Sequence, residues 1–151
     1  MSWPEELIAA HELGHAIVAQ ETGLKLGEIR LTAGWFSNAI TGGYCELGSL
    51  RYPDEDTGDP NDWKAYRGML LMTAGGQAAS EHWFQLHDQR VQNTAGSDRI
   101  IFNTDAPVMP DAPSWEQAVE EARHLILPRW DDVIRLTPVL LERRRMAGNK
   151  V

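Results

Sequence analysis

Residues 1–20 read MSWPEELIAAHELGHAIVAQ, and their apolar positions recur at helical spacing. Ser2 can cap such a helix, Glu5 completes an S-x-x-E box with it, and Pro4 suits the first turn. The helical spacing holds to Thr22, after which Gly23 is a natural stop. Inside this helix lies HELGH, residues 11–15. His11 and His15, at i and i+4, share one face about one turn apart, so both imidazoles can reach a single zinc ion. Glu12 lies about 100° round the helix, within reach of a metal-bound water. From there it can take a proton from that water and pass it to a leaving amine. The neighbours Leu7, Ile8, Ala16, Ile17 and Val18 are apolar, and Gly14 is read as leaving room beside the metal.

Beyond Gly23, residues 27–33 alternate, with Ile29 and Leu31 on one side and Glu28, Arg30 and Thr32 on the other, which predicts a strand. A second strand over 41–47 is expected to pair antiparallel with it. Residues 53–62, PDEDTGDPND, form a loop by local signals, with Asp62 capping the next helix. An EF-hand reading of this loop fails, because a site opening at Asp54 would have Asp59 in place of the required Gly and Ala65 in place of the required Glu. The next helix is predicted over 63–86, interrupted by Gly75 and Gly76, a pair that marks a kink or the close approach of another backbone. A short helix starts near Asp98. Residues 104–114, with Pro107, Pro110 and Pro113, are not regular helix. Helices over 115–127 and 131–145, separated by Pro128, complete the chain. These elements predict one domain spanning 1–151, a mainly α (α+β) fold in which a helical bundle carries a small antiparallel β-hairpin.

The 151 residues carry 14 Lys and Arg against 22 Asp and Glu, a net charge of −8, with one cysteine. A single cysteine excludes an intramolecular disulfide framework and Cys-rich zinc modules, and Cys45 reads as a small apolar residue. The acidic balance argues against nucleic acid as a partner. The basic cluster Arg143, Arg144 and Arg145 reads as a solvated helix end. No stretch approaches the roughly 18 consecutive apolar residues of a membrane span. The N-terminal residues are acidic where a signal peptide is basic, so the expected location is the cytoplasm.

A catalytic zinc needs a third protein ligand. The extended H-E-x-x-H-x-x-G-x-x-H pattern would need Gly at 18 and His at 21, where this chain has Val18 and Glu21. Glu21 also lies about 15 Å along the helix axis from His11, too far to share its metal. Glu81, His82, His87, Asp98, and Glu120 or Glu121 remain as candidates, and periodicity does not choose among them.

The string AAHELGHAIVA, residues 9–19, resembles the A-x-H-E-A-G-H-A-V-V-A helix of the FtsH-type zinc proteases, the peptidase part of membrane-bound AAA+ proteases. LLMTAGGQAASEHWF at 70–84 looks like the family's L-L-G-G-R-A-A-E-E-L-x-F helix, and NTAGSD at 93–98 is similar to its T-G-A-S-N-D. EEARHLILPRWDDVIRLTPVLLERRRM at 120–146 is similar to its last helices. The resemblance implies a zincin-like bundle, with zinc held by His11, His15 and Asp98 and with Glu12 as catalytic base. It also implies that Glu81 orients a ligand histidine. Residues 41–47 would be the edge strand beside the cleft, where Gly42, Gly43 and Tyr44 would hold an extended peptide through backbone groups. His82, His87 and His124 have no counterpart and read as surface or packing residues.

The chain departs from that family in several ways. It carries no G-x-x-x-x-G-K-[ST] loop, ATPase module or membrane anchor, so the expected activity is ATP-independent hydrolysis of peptides or unfolded protein. A homo-oligomer and a separate ATPase partner both stay open. Leu13 replaces an alanine and Gln77 an arginine of the family pattern, and the proline-rich 104–114 stretch interrupts an expected helix. Two other readings compete with the zinc endopeptidase. One is a repressor-cleaving metallopeptidase, which also carries H-E-L-G-H and whose third ligand would be a glutamate such as Glu121. The other is a non-catalytic, zinc-stabilised module that binds peptides or serves as an adaptor.

Overall fold

The computed structural model describes residues 3–34, 38–47 and 60–151. The first helix, α1, spans Glu5–Glu21, and every residue from Leu7 to Ala19 is buried. A helix that is apolar on all sides belongs in the centre of a domain, and α1 occupies that place. The only ionisable side chains in the buried run are His11, Glu12 and His15. Pro4 precedes the helix without a side-chain cap, and Ser2 lies outside the described residues. Glu5 does not serve the expected box, because its Oε1 accepts the Ile40 amide at 3.1 Å. At the other end Thr22 closes the last turn, its Oγ1 donating to Val18 O at 2.7 Å. Gly23 then turns the chain at φ +77°.

Strand β1 spans Leu26–Ala33 and β2 spans Ile40–Leu47. They pair antiparallel, with Leu31 opposite Gly43 and Ile29 opposite Cys45. Ile29 and Leu31 face the core as the alternation predicts. Helix α2, Pro60–Leu86, starts before the predicted position, so Asp62 sits inside its first turn, where its charge suits the helix dipole, and does not cap it. Residues 60–62 of the predicted loop thus belong to α2, and residues 53–59, where the rejected calcium motif begins, lie outside the described residues. Gly75 and Gly76 do not interrupt α2, which runs through them unbroken. They mark a close approach, since an added Cβ at Gly75 would stand 2.8 Å from Gly14 O, and one at Gly14 would stand 2.5 Å from Gly75 O. Gly14 therefore serves the contact between α1 and α2, which corrects its reading as space beside a metal.

Helix α3 spans Gly96–Asp105 and leads into a short 3-10 turn at Ala106–Val108. Helix α4, Trp115–Ile126, opens on a capping box in which Ser114 Oγ accepts the Gln117 amide at 3.1 Å and Gln117 Oε1 accepts the Ser114 amide at 3.0 Å. A 3-10 turn containing Pro128 links it to α5, Trp130–Arg143. The predicted helix end at 145 gives way to a strand. Arg144 adopts a left-handed conformation at φ +62°, its carbonyl accepts the Leu31 amide at 2.8 Å, and Arg145–Ala147 forms β3. The sheet order is β2-β1-β3, and all pairings are antiparallel. The arginine cluster is thus split between a helix end, a cap and a strand. The fold is mainly helical with a small antiparallel sheet, and among the described residues no helix is long and apolar enough to cross a membrane.

The glycine contact yields a contrast between two substitutions. Gly14→Ala is expected to destabilise the fold by about 1–3 kcal/mol through overpacking, because its Cβ would also meet Ala79 Cβ at 2.6 Å. Gly96→Ala, with nothing within 4 Å, is expected to leave stability close to wild type. Urea unfolding of both variants measures the difference.

Candidate metal centre

His11 and His15 project from the middle of α1, and Asp98 reaches them from the first turn of α3. Asp98 Oδ2 stands 3.0 Å from His11 Nε2 and 3.2 Å from His15 Nε2, and the two Nε2 atoms are 3.2 Å apart. Three donors bound to zinc at 2.0–2.1 Å in tetrahedral geometry are separated by about 3.3 Å. The near-equilateral triangle of two imidazole nitrogens and one carboxylate oxygen therefore has the size such an ion requires.

The second nitrogen of each ring explains this aim. Met72 O can only accept, so His15 Nδ1 is the donor in their 2.7 Å contact, and Nε2 is the ring nitrogen turned towards Asp98. His11 Nδ1 lies 3.1 Å from Ser80 Oγ and 3.0 Å from Thr94 Oγ1. Gly76 keeps the space in front of both rings open. A Cβ there would stand 2.5 Å from His15 Nε2 and closer still to His11 Nε2.

Glu12 is 5% exposed, and its carboxylate and the two histidine nitrogens lie within 4.8 Å of one another. Strand β2 presses against it. Gly43 passes so close that a Cβ would stand 2.9 Å from Glu12 Cγ, and Cys45 Sγ donates to Glu12 O at 3.0 Å. Cavities of about 410 Å³ and 350 Å³ flank the centre and share Glu12, Gly43 and Asp98 as walls. The first continues past Thr41, Gly42 and Asn93, and the second past Tyr44, Leu47, Met72 and Ile101. Within the described sheet, β2 pairs only with β1, and its residues 41–45 and Leu47 line the two cavities.

Burial alone would lower the His15 pKa, but the hydrogen bond and the charge of Asp98 outweigh it and raise the value from 6.5 to about 9. Burial acts to raise Asp98, yet the hydrogen bonds from His11 and His15 hold it well below the ordinary carboxylate range. Burial, with the Glu12 carboxylate beside it, pushes the Cys45 thiol well above its usual value, so it remains an S–H.

The structure thus brings together His11, Glu12, His15, Asp98 and Gly43, with Gly42 and Tyr44 at the cleft walls. Glu81 does not take its expected orienting role, because the ring nitrogens are satisfied by its neighbour Ser80, by Thr94 and by the Met72 carbonyl. Glu121, the rival third ligand, pairs with Arg67 at 2.6 Å. His82 packs edge-on to Trp130, His87 stacks on Trp83, and His124 is exposed beside Glu120. The sequence reading missed Gly76, Ser80 and Thr94. Its usable signal was the pair of small residues at 76 and 80, one turn apart on the helix that faces HELGH. Comparison with known proteins gave no matching family model and no curated relative. The resemblance rests on the motifs alone.

Two outcomes are expected. Gly76→Ala should fold but fail to retain a metal that the wild type holds through dialysis, as read by elemental analysis. Because the folded-state pKa of His15 lies above 6.5, its pair with Asp98 stabilises the metal-free protein fully below about pH 6.5, and this is lost as pH rises through about 9. On the acid side the contribution of Asp98 is lost as pH falls below 3.8 towards its depressed value. Thermal unfolding of the metal-free protein should therefore weaken between pH 6.5 and 9, and His15→Gln should flatten that slope.

Proposed function

We propose that the protein is a zinc-dependent endopeptidase of the FtsH type. The observation that carries this reading is the triangle of His11, His15 and Asp98 with Glu12 beside it, in a cleft lined by β2, whose second edge has no strand partner among the described residues. The set of two imidazoles and a carboxylate suits zinc, which would displace the proton of His15 and when bound supplies a Lewis acid that acidifies water and polarises a carbonyl.

The protein's own groups do the rest. An extended peptide lies along the edge of β2 that is unpaired among the described residues, held by the backbone groups of Gly42, Gly43 and Tyr44. A side chain next to the scissile bond enters the cavity between Tyr44, Leu47, Met72 and Ile101, whose walls favour an apolar residue. Glu12 takes the proton from the attacking water and delivers it to the leaving amine. Its backbone, held by the Cys45 thiol, and its Cγ, braced against Gly43, keep the carboxylate in place. Substrates are peptides or unfolded segments, since only extended backbone can follow a strand edge. The free thiol of Cys45 fits a reducing compartment, and the cytoplasm is the proposed location.

Glu12→Gln is the decisive variant. It should retain about one zinc per chain, as read by elemental analysis, and lose at least about 10²-fold in the cleavage rate of an unfolded casein substrate. His15→Ala and Asp98→Ala should lose the metal. A Glu12→Gln protein that cleaves at the wild-type rate would overturn the mechanism. A wild type that binds zinc without cleaving would leave a binding module in its place.

A further inference from the structure

Thr94 and Asp98 both reach the centre from the segment that follows α2, and one buried amide holds that segment. Gln77, on α2 and 6% exposed, donates from Nε2 to Gln92 O at 3.1 Å, while its Oε1 accepts the Thr94 amide at 2.9 Å. A backbone carbonyl can only accept and a backbone N–H can only donate, so both ends of the amide are assigned by their partners. Thr94 Oγ1 lies 3.3 Å from Gln77 Oε1 and 2.7 Å from Ser80 Oγ, two positions that can receive its proton. Ser80 Oγ in turn donates to Gly76 O at 2.9 Å. Each hydroxyl proton is thus directed away from His11, and the lone pairs of Ser80 and Thr94 face His11 Nδ1.

We infer that Gln77 is a positioning residue for the metal centre, one that acts through Thr94 to fix His11 as the Nδ1–H tautomer and to set the approach of Asp98. The inference rests on the metal-site reading proposed above. Two results of one clamp reach the ion's ligands by separate routes. Thr94, seated on Gln77, presents an acceptor to His11 Nδ1 and leaves the Nε2 lone pair free for a metal. Asp98, four residues further on, starts from a fixed point. An arginine at this position, as in the resembling family, has only donors and could not accept the Thr94 amide, so the device belongs to this sequence. The orienting function expected of Glu81 is carried instead by an uncharged chain of side chains.

Zinc affinity, measured by competition with a chromophoric chelator, tests the inference on wild type, Thr94→Ser, Gln77→Met and the double substitution Ser80→Ala, Thr94→Val. Circular dichroism follows the fold of each. Gln77→Met and the double substitution should weaken zinc binding about 10- to 100-fold with the helical signal intact, and Thr94→Ser, which keeps the hydroxyl, should bind as wild type. Nitrogen-detected NMR of the zinc-loaded wild type should find the proton of His11 on Nδ1. If Gln77→Met does not fold, the double substitution and its serine counterpart still decide the question. Folded variants that bind zinc within twofold of wild type would overturn the inference, as would a His11 proton on Nε2. A wild type that takes up no zinc would instead bring down the metal-site reading, and the inference with it.

Discussion

Three ionisable side chains are carried by a helix that is enclosed on every side, and this placement constrains the rest of the molecule. Removing a charged or strongly polar group from water costs several kcal/mol unless partners replace the solvent. His15 is satisfied by the Met72 carbonyl and Asp98, and His11 by Ser80, Thr94 and the same carboxylate. Among the described residues no buried side-chain nitrogen or oxygen lacks a partner. Among the described residues Asp98 is the acid that pairs with both imidazoles, and the geometry that satisfies them matches the size of a three-ligand metal site.

The closeness of α1 and α2 makes this arrangement possible. Gly14 and Gly75 let the two backbones meet, and Gly76, the next residue on α2, leaves the histidine nitrogens room on the same side. Larger residues there would separate the helices and move Ser80 and the Met72 carbonyl away from the rings they orient. Strand β2 closes the other side, where Gly43 permits the contact with Glu12 that a side chain would prevent. Small residues on three elements thus set the distances of the site, while its chemistry comes from four larger ones.

Much of the fold was legible in local pattern. The helical run around HELGH, the alternation that places Ile29 and Leu31 inward, and the helix that opens at Trp115 are features of neighbouring residues, and these elements formed close to where the pattern put them. The short strand after α5 was not legible, because it depends on a left-handed Arg144 where a helix end of this kind usually has glycine, and on pairing with a strand more than a hundred residues earlier. Nor did the sequence separate the roles of the three glycines, since that depends on which backbone lies opposite each one. Glu81 was a reasonable partner for a histidine by motif, but its neighbour Ser80 faces the ring.

By itself, the sequence determined a central helix with two histidines and a glutamate on adjoining faces, because helical periodicity fixes the relative direction of side chains three and four residues apart. It also determined a mainly helical chain with a small antiparallel sheet. The tertiary structure decided which acid completes the triangle, which groups hold the Nδ1 atoms and which strand lines the cleft. The contacts of the two histidines with Met72, Ser80, Thr94 and Asp98 join residues 57 to 87 positions apart, and no local pattern encodes them. They follow from how closely two helices can approach and from the requirement that every buried polar atom find a partner.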